Sequence, residues 1–106
     1  MPISDPVAME EVLWARKDGS EVVLTAKIGK PYRVDEDTWA CPVELIGLDE
    51  KLPDIPGTGS MQALCLAIGL VKMRLGHLLD RGEALYFSGD REEKWDASAL
   101  DALFGP

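Results

Sequence analysis

Asp18-Gly19 stands between two β-forming runs, and few dipeptides constrain a short chain more. Before it, Met9 to Lys17 carries Val12, Leu13 and Trp14. After it, Glu21 to Ile28 reads EVVLTAKI, β-branched and close to alternation. Asp-Gly tolerates the left-handed backbone that reverses a chain tightly, so the pattern predicts a β-hairpin. A two-residue turn at Asp18-Gly19 pairs Arg16 with Glu21, Ala15 with Val22, Trp14 with Val23 and Leu13 with Leu24. Leu13, Ala15, Val22, Leu24, Ala26 and Ile28 then share one apolar face, and Arg16 meets Glu21 with opposite charge. Val12, Trp14 and Val23 fall on the second face, among Arg16, Thr25 and Lys27.

The rest of the chain supplies partners for the apolar face. Residues 1–6 read as a tail, because Pro2 and Pro6 block regular structure. Residues 30–38 read as a polar connection. A third strand is predicted from Trp39 to Gly47, with Trp39, Cys41, Val43 and Leu45 on one side. Pro42 has no amide proton, so it must sit at a bulge or face away from a neighbour. Residues 48–59 form a loop rich in Pro, Gly and Asp. A long helix follows from about Ser60 to Asp80 or Arg81, capped by the hydroxyl of Thr58 or Ser60 and stopped by Gly82. Its apolar stripe is Met61, Leu64, Cys65, Ile68, Val71, Leu75, Leu78 and Leu79, at spacings of three and four. Glu83 to Ser88 reads as a fourth strand. Asp96 is placed to cap a short helix carrying Leu100, Leu103 and Phe104.

Composition narrows the class. At 106 residues the chain suits a single α+β domain, and 46% hydrophobic residues is ordinary for a packed fold. The formal charge is −8, from 19 acids against 11 bases, which disfavours nucleic acid and anionic membrane surfaces. The longest apolar-rich stretch, Met61 to Val71, is too short to span a bilayer. No secretory leader opens the chain, and two cysteines cannot make a disulfide framework, so a cytoplasmic protein with reduced thiols is expected.

Few residues offer chemistry. His77 is the single histidine, and no Ser or Cys forms a nucleophile motif with it. Cys41 and Cys65 each sit inside an apolar pattern, which predicts buried structural thiols. Asp35-Glu36-Asp37 and the acids from Asp90 to Asp96 lack the ligand spacing of a calcium loop. Catalytic residues, metal ligands and a cofactor are therefore not expected. Gly57-Thr58-Gly59-Ser60 precedes a helix, where exposed amides can hold an anion, although a Walker lysine is absent. That loop, within residues 53–60, is the candidate ligand site. Gly69 and Gly76 lie one heptad apart and allow close approach of the chain's own sheet or of a second copy.

Two resemblances add to this. Gly59-Ser60-Met61-Gln62-Ala63-Leu64 resembles the attachment segment of acyl and peptidyl carrier proteins, with Gly59 where that family has Asp. It implies a carrier modified at Ser60, although carrier domains are helix bundles. More broadly, Ile28-Gly29-Lys30-Pro31, Trp39-Ala40-Cys41-Pro42-Val43 and Ile46-Gly47-Leu48 lead to a Gly-rich loop. Ser60-Met61-Gln62-Ala63-Leu64 and a long apolar helix follow. Over residues 8–80 this order resembles an uncharacterised family of small bacterial proteins, a domain of unknown function. The resemblance implies a fold and no reaction.

The expected architecture is two-layered: an antiparallel sheet of about four strands on one long helix. The expected function is a non-enzymatic binding module whose acidic surface meets a basic protein partner, or a homodimer. The candidate patch is Val12, Trp14 and Val23, since an outward Trp beside two Val is unusual without a partner.

Overall fold

The computed structural model describes residues 3–48, 52–87 and 93–105. In chain order the elements are β1 (Ala8–Ala15), β2 (Glu21–Ile28), β3 (Tyr32–Arg33), β4 (Trp39–Cys41) and β5 (Val43–Ile46). Then come β6 (Ile55–Gly57), helix α1 (Ser60–Asp80), β7 (Ala84–Phe87) and helix α2 (Ala97–Phe104). One antiparallel sheet has the order β5-β2-β1-β7, and a smaller one has the order β3-β4-β6. The fold is α+β, as expected, with a second small sheet beyond the expected plan.

The hairpin forms, but its register differs from expectation by one residue. Gly19 N donates to Arg16 O at 3.1 Å, Arg16 N donates to Ser20 O at 2.8 Å, and Gly19 has φ +93°. The loop therefore spends three residues, Lys17-Asp18-Gly19, with the glycine in the left-handed position that a three-residue hairpin needs. The Asp18 carboxylate accepts from both Ser20 N (2.9 Å) and Ser20 Oγ (2.6 Å), which fastens this longer loop. Ala15 faces Glu21, Trp14 faces Val22, Leu13 faces Val23 and Val12 faces Leu24. A slip of one residue exchanges the two faces of one strand. Val22, Leu24, Ala26 and Ile28 stay on the inner face, while Val12 and Trp14 replace Leu13 and Ala15 there. Ala15, not Arg16, stands opposite Glu21; the Arg16 guanidinium lies 5.1 Å from the Trp14 ring centroid.

The expected third strand is two strands broken at Pro42. Cys41, Val43 and Leu45 are buried, with Trp39 packed beside them, so the alternation holds. β4 belongs to the small sheet and β5 to the large one. Proline ends a ladder because it lacks a donor, while its carbonyl still accepts from Gly29 N at 2.9 Å. The short strands β3 and β6 replace parts of the expected connections 30–38 and 48–59. Neither shows alternation long enough to be read from residues alone, since each pairs only with β4.

Helix α1 covers the inner sheet face with a seam different from the expected stripe. Ala63, Ala67, Val71, Leu75 and Leu78 are buried, whereas Met61 and Cys65 are exposed. Leu64, Ile68 and Leu79 flank the core. The contact line runs through small residues because backbone meets backbone there: a Cβ on Gly57 would lie 2.6 Å from Ala63 N. A reading weighted by bulk misses alanines chosen for closeness. No hydroxyl caps the helix; Gln62 Oε1 accepts from Thr58 N (2.7 Å) and Thr58 Oγ1 (3.0 Å) instead. At the far end Gly82 (φ +82°) lets Gly82 N and Glu83 N donate back to Leu79 O and Leu78 O. At 21 residues α1 is long and apolar enough to cross a bilayer by length and composition, beyond the shorter stretch read from Met61 to Val71. Here its seam is spent on the two sheets.

α2 starts as expected at Asp96, whose Oδ1 accepts from Ala99 N at 3.0 Å. It lies beside α1 through Leu100, which sits 3.6 Å from where a Gly76 Cβ would be. Gly76 thus serves the chain's own packing, while Gly69 faces open space. Trp95 is buried and meets Phe87 edge to face, with centroids 5.0 Å apart.

Candidate functional site

The candidate patch of Val12, Trp14 and Val23 is not one surface. Val12 is fully buried and Trp14 packs against the core, both on the inner face; Val23 alone points outward, 48% exposed. The Trp14 indole donates to Glu83 Oε1 at 3.0 Å, so the ring is held within the chain. The register is the cause: a two-residue turn puts Val12 and Trp14 on the outer face, and the three-residue loop turns them inward.

A different apolar group lies on the outer face. Leu13 has Val23 on one side and Tyr86 on the other, a cross-strand row over β2, β1 and β7. Ile46 faces Thr25 and so lies diagonally from Val23, and it is 45% exposed. Directly opposed side chains in an antiparallel sheet stand about 5 Å apart and diagonal ones about 7–8 Å, so the four residues adjoin. Glu11 and Glu21 flank the row on the same face. At one end Ile3 crosses the sheet: its amide donates to Glu44 Oε1, and its carbonyl accepts from Lys27 Nζ at 3.3 Å. Both helices lie on the opposite side, so this face carries no helix among the described residues.

The candidate loop Gly57, Thr58, Gly59 and Ser60 is occupied by local structure. Gly57 closes β6 against Ala63. The Thr58 amide and hydroxyl are both spent on Gln62, and Gly59 O accepts from Ala63 N. Ser60 is exposed at the first position of α1, and its hydroxyl caps nothing.

The remaining candidates stand apart from one another. His77 is exposed on α1 and shares an open hollow of about 400 Å3 with Leu48, Arg74, Asp80 and Arg81. Cys41 is buried, with Sγ 3.4 Å from Gly29 O, and burial together with the Asp54 carboxylate raises its thiol pKa. Cys65 is exposed, contrary to expectation, because the seam of α1 lies elsewhere. Asp35-Glu36-Asp37 forms the β3–β4 turn, held by Asp37 N donating to Asp35 Oδ1 and by Arg33 donating to Asp35 O and Glu36 O. The Tyr32 hydroxyl donates to Asp54, which raises its pKa. Part of the acidic run from Asp90 to Asp96 lies outside the described residues. Among those described, no three His, Cys, Asp or Glu side chains gather as a metal site.

A second hollow, of about 160 Å3, opens on the inner side between the large sheet and the two helices. Its floor is Ala26 and Ile28, its walls are Ile68, Val71, Leu103 and Phe104, and Ala8, Met9 and Glu10 form its rim. This feature is invisible in the sequence, since it depends on the register of β1 and on where α2 stops.

Residues 9–96 match the family described as a domain of unknown function (DUF6968). No curated protein and no solved structure matches the chain.

Proposed function

We propose that this chain, which belongs to the family of unknown function DUF6968, is a non-enzymatic protein-interaction module that binds through the outer face of its four-stranded sheet. The observation that carries this reading is the row of exposed Val23 with half-buried Leu13 and Tyr86, and exposed Ile46 beside it, on a sheet face that carries no helix among the described residues. Contiguous exposed apolar side chains rimmed by polar ones are where soluble proteins dock partners. The rim here is acidic at Glu11 and Glu21, and the chain carries −8, so the matching surface is apolar at its centre and basic around it. Of the patch expected from the sequence, Val23 remains part of this reading.

Affinity capture tests it. The wild-type chain should retain a partner at low salt and lose much of it at high salt, because exposed charge pairs are screened within about 10 Å at 0.1 M. Val23→Glu and Ile46→Glu should abolish retention while keeping the wild-type melting temperature. Retention of the same proteins by both variants would overturn the reading.

A further inference from the structure

The inner hollow has a chemistry of its own. Along the large sheet the inner-facing row Leu45–Ala26–Glu10 puts a carboxylate where the neighbouring row Val43–Ile28–Ala8 puts a methyl group. Ala8 and Ala26 are too small to fill the space under Ile68 and Val71, and α2 ends with Leu103 and Phe104 forming the far wall. That wall is fixed: Lys72 Nζ lies 2.6 Å from Asp101 Oδ1 and donates to Gly105 O at 2.7 Å. Among the described residues the Glu10 carboxylate has no ion pair or hydrogen bond. The result is an apolar hollow of about 160 Å3 with one charged group at its rim, a carboxylate without a cation. A hollow of about 150 Å3 lined by apolar side chains holds a benzene ring.

We infer that this hollow binds a small primary ammonium compound with an apolar body of about six or seven carbons, its body against Ile28, Ile68 and Val71 and its ammonium on Glu10. Charge decides the class. An anion would meet Glu10 in a chain of −8, and a neutral compound would leave the carboxylate unpaired. An ammonium gains a charge-assisted hydrogen bond while its hydrocarbon part leaves water. This site is on the opposite side of the sheet from the proposed docking face, so either stands without the other.

Benzylamine, benzyl alcohol and benzoate share one ring and differ in charge. Titrated into the full chain and followed by methyl NMR, benzylamine should shift Ile68, Val71 and Leu103 saturably. It should bind about tenfold more tightly than benzyl alcohol, with benzoate weaker still. Glu10→Gln should bring benzylamine down to the alcohol's affinity, and Ala8→Leu, a rim change on an exposed position, should weaken both. Equal affinity of the amine and the alcohol for the wild-type chain, tighter binding of benzoate, or shifts mapping away from these three residues would overturn the inference. Concentration-dependent broadening of the same methyls without any ligand would assign the hollow to a second copy of the chain and overturn it as well.

Discussion

Trp14 Nε1 donates to Glu83 Oε1 at 3.0 Å, tying the last turn-side residues of β1 to the connection between α1 and β7, 69 positions later. Lys17, from the hairpin loop, reinforces the tie by donating to Arg81 O at 2.8 Å and lying 3.9 Å from Glu83 Oε2. The Glu83 side chain is only 13% exposed, so removing it leaves an indole donor without its acceptor. Glu83→Ala should cost about 1–2 kcal/mol in urea denaturation. Glu83→Gln should cost less, because an amide oxygen still accepts from Trp14. Equal stability of Glu83→Ala and wild type would show that the bond contributes nothing.

Two glycines should respond with opposite sign. A methyl group on Gly57 would lie 2.6 Å from Ala63 N and 2.9 Å from Ala63 Cα, both backbone atoms that cannot swing aside. Gly57→Ala should destabilise by about 2–3 kcal/mol. Gly69 stands inside α1 with nothing within 4 Å of the added carbon. Gly69→Ala should stabilise by about 0.5–1 kcal/mol, the ordinary gain of alanine over glycine in a helix. Thermal melts of the two variants beside wild type decide both.

Acid should weaken the fold through Asp18 and Asp96. The Ser20 hydroxyl and amide hold the Asp18 carboxyl below its ordinary range, and the Ser98 hydroxyl and Ala99 amide do the same for Asp96. A pKa lowered by folding contributes stability above the unfolded value, about 3.9, and loses it as pH falls through the folded value. Urea midpoints should therefore drop between about pH 5 and pH 2. Asp18→Asn and Asp96→Asn should flatten that slope; an unchanged slope in the double variant would assign the acid sensitivity elsewhere.

The thiols should separate in a dithionitrobenzoate assay. Cys65 is exposed and should react within the native state. Cys41 is buried with a raised pKa, so its thiolate is scarce and shielded, and it should react only on unfolding. Cys65→Ser should remove the native-state reaction entirely. Rapid labelling of both thiols in the wild-type chain would mean that the β4 region opens readily.

The parts of the fold legible in the sequence are those whose signal is local. The turn at Asp18-Gly19, the stop at Gly82, the cap at Asp96 and the alternation through Cys41, Val43 and Leu45 each depend on neighbours a few positions away. What escaped depends on distance. Asp-Gly announces a reversal but does not say whether Lys17 joins the loop, and that single residue decides which side Trp14 takes. The seam of α1 follows Ala63 and Ala67 because Gly57 comes close, a fact carried by no periodicity. β3 and β6 are strands only because β4 lies between them. The candidate patch failed with the register, whereas the hollow beside Glu10 could be found only once β1, β2 and both helices were in place.

Pro42 joins two sheets by a single peptide corner, with β4 on one side and β5 on the other. Pulling β5 away from β2 would drag β4 out from between β3 and β6, so neither sheet can melt in private. The chain should lose both in one cooperative transition, with amides at Ala40 and Leu45 exchanging with deuterium at matching rates.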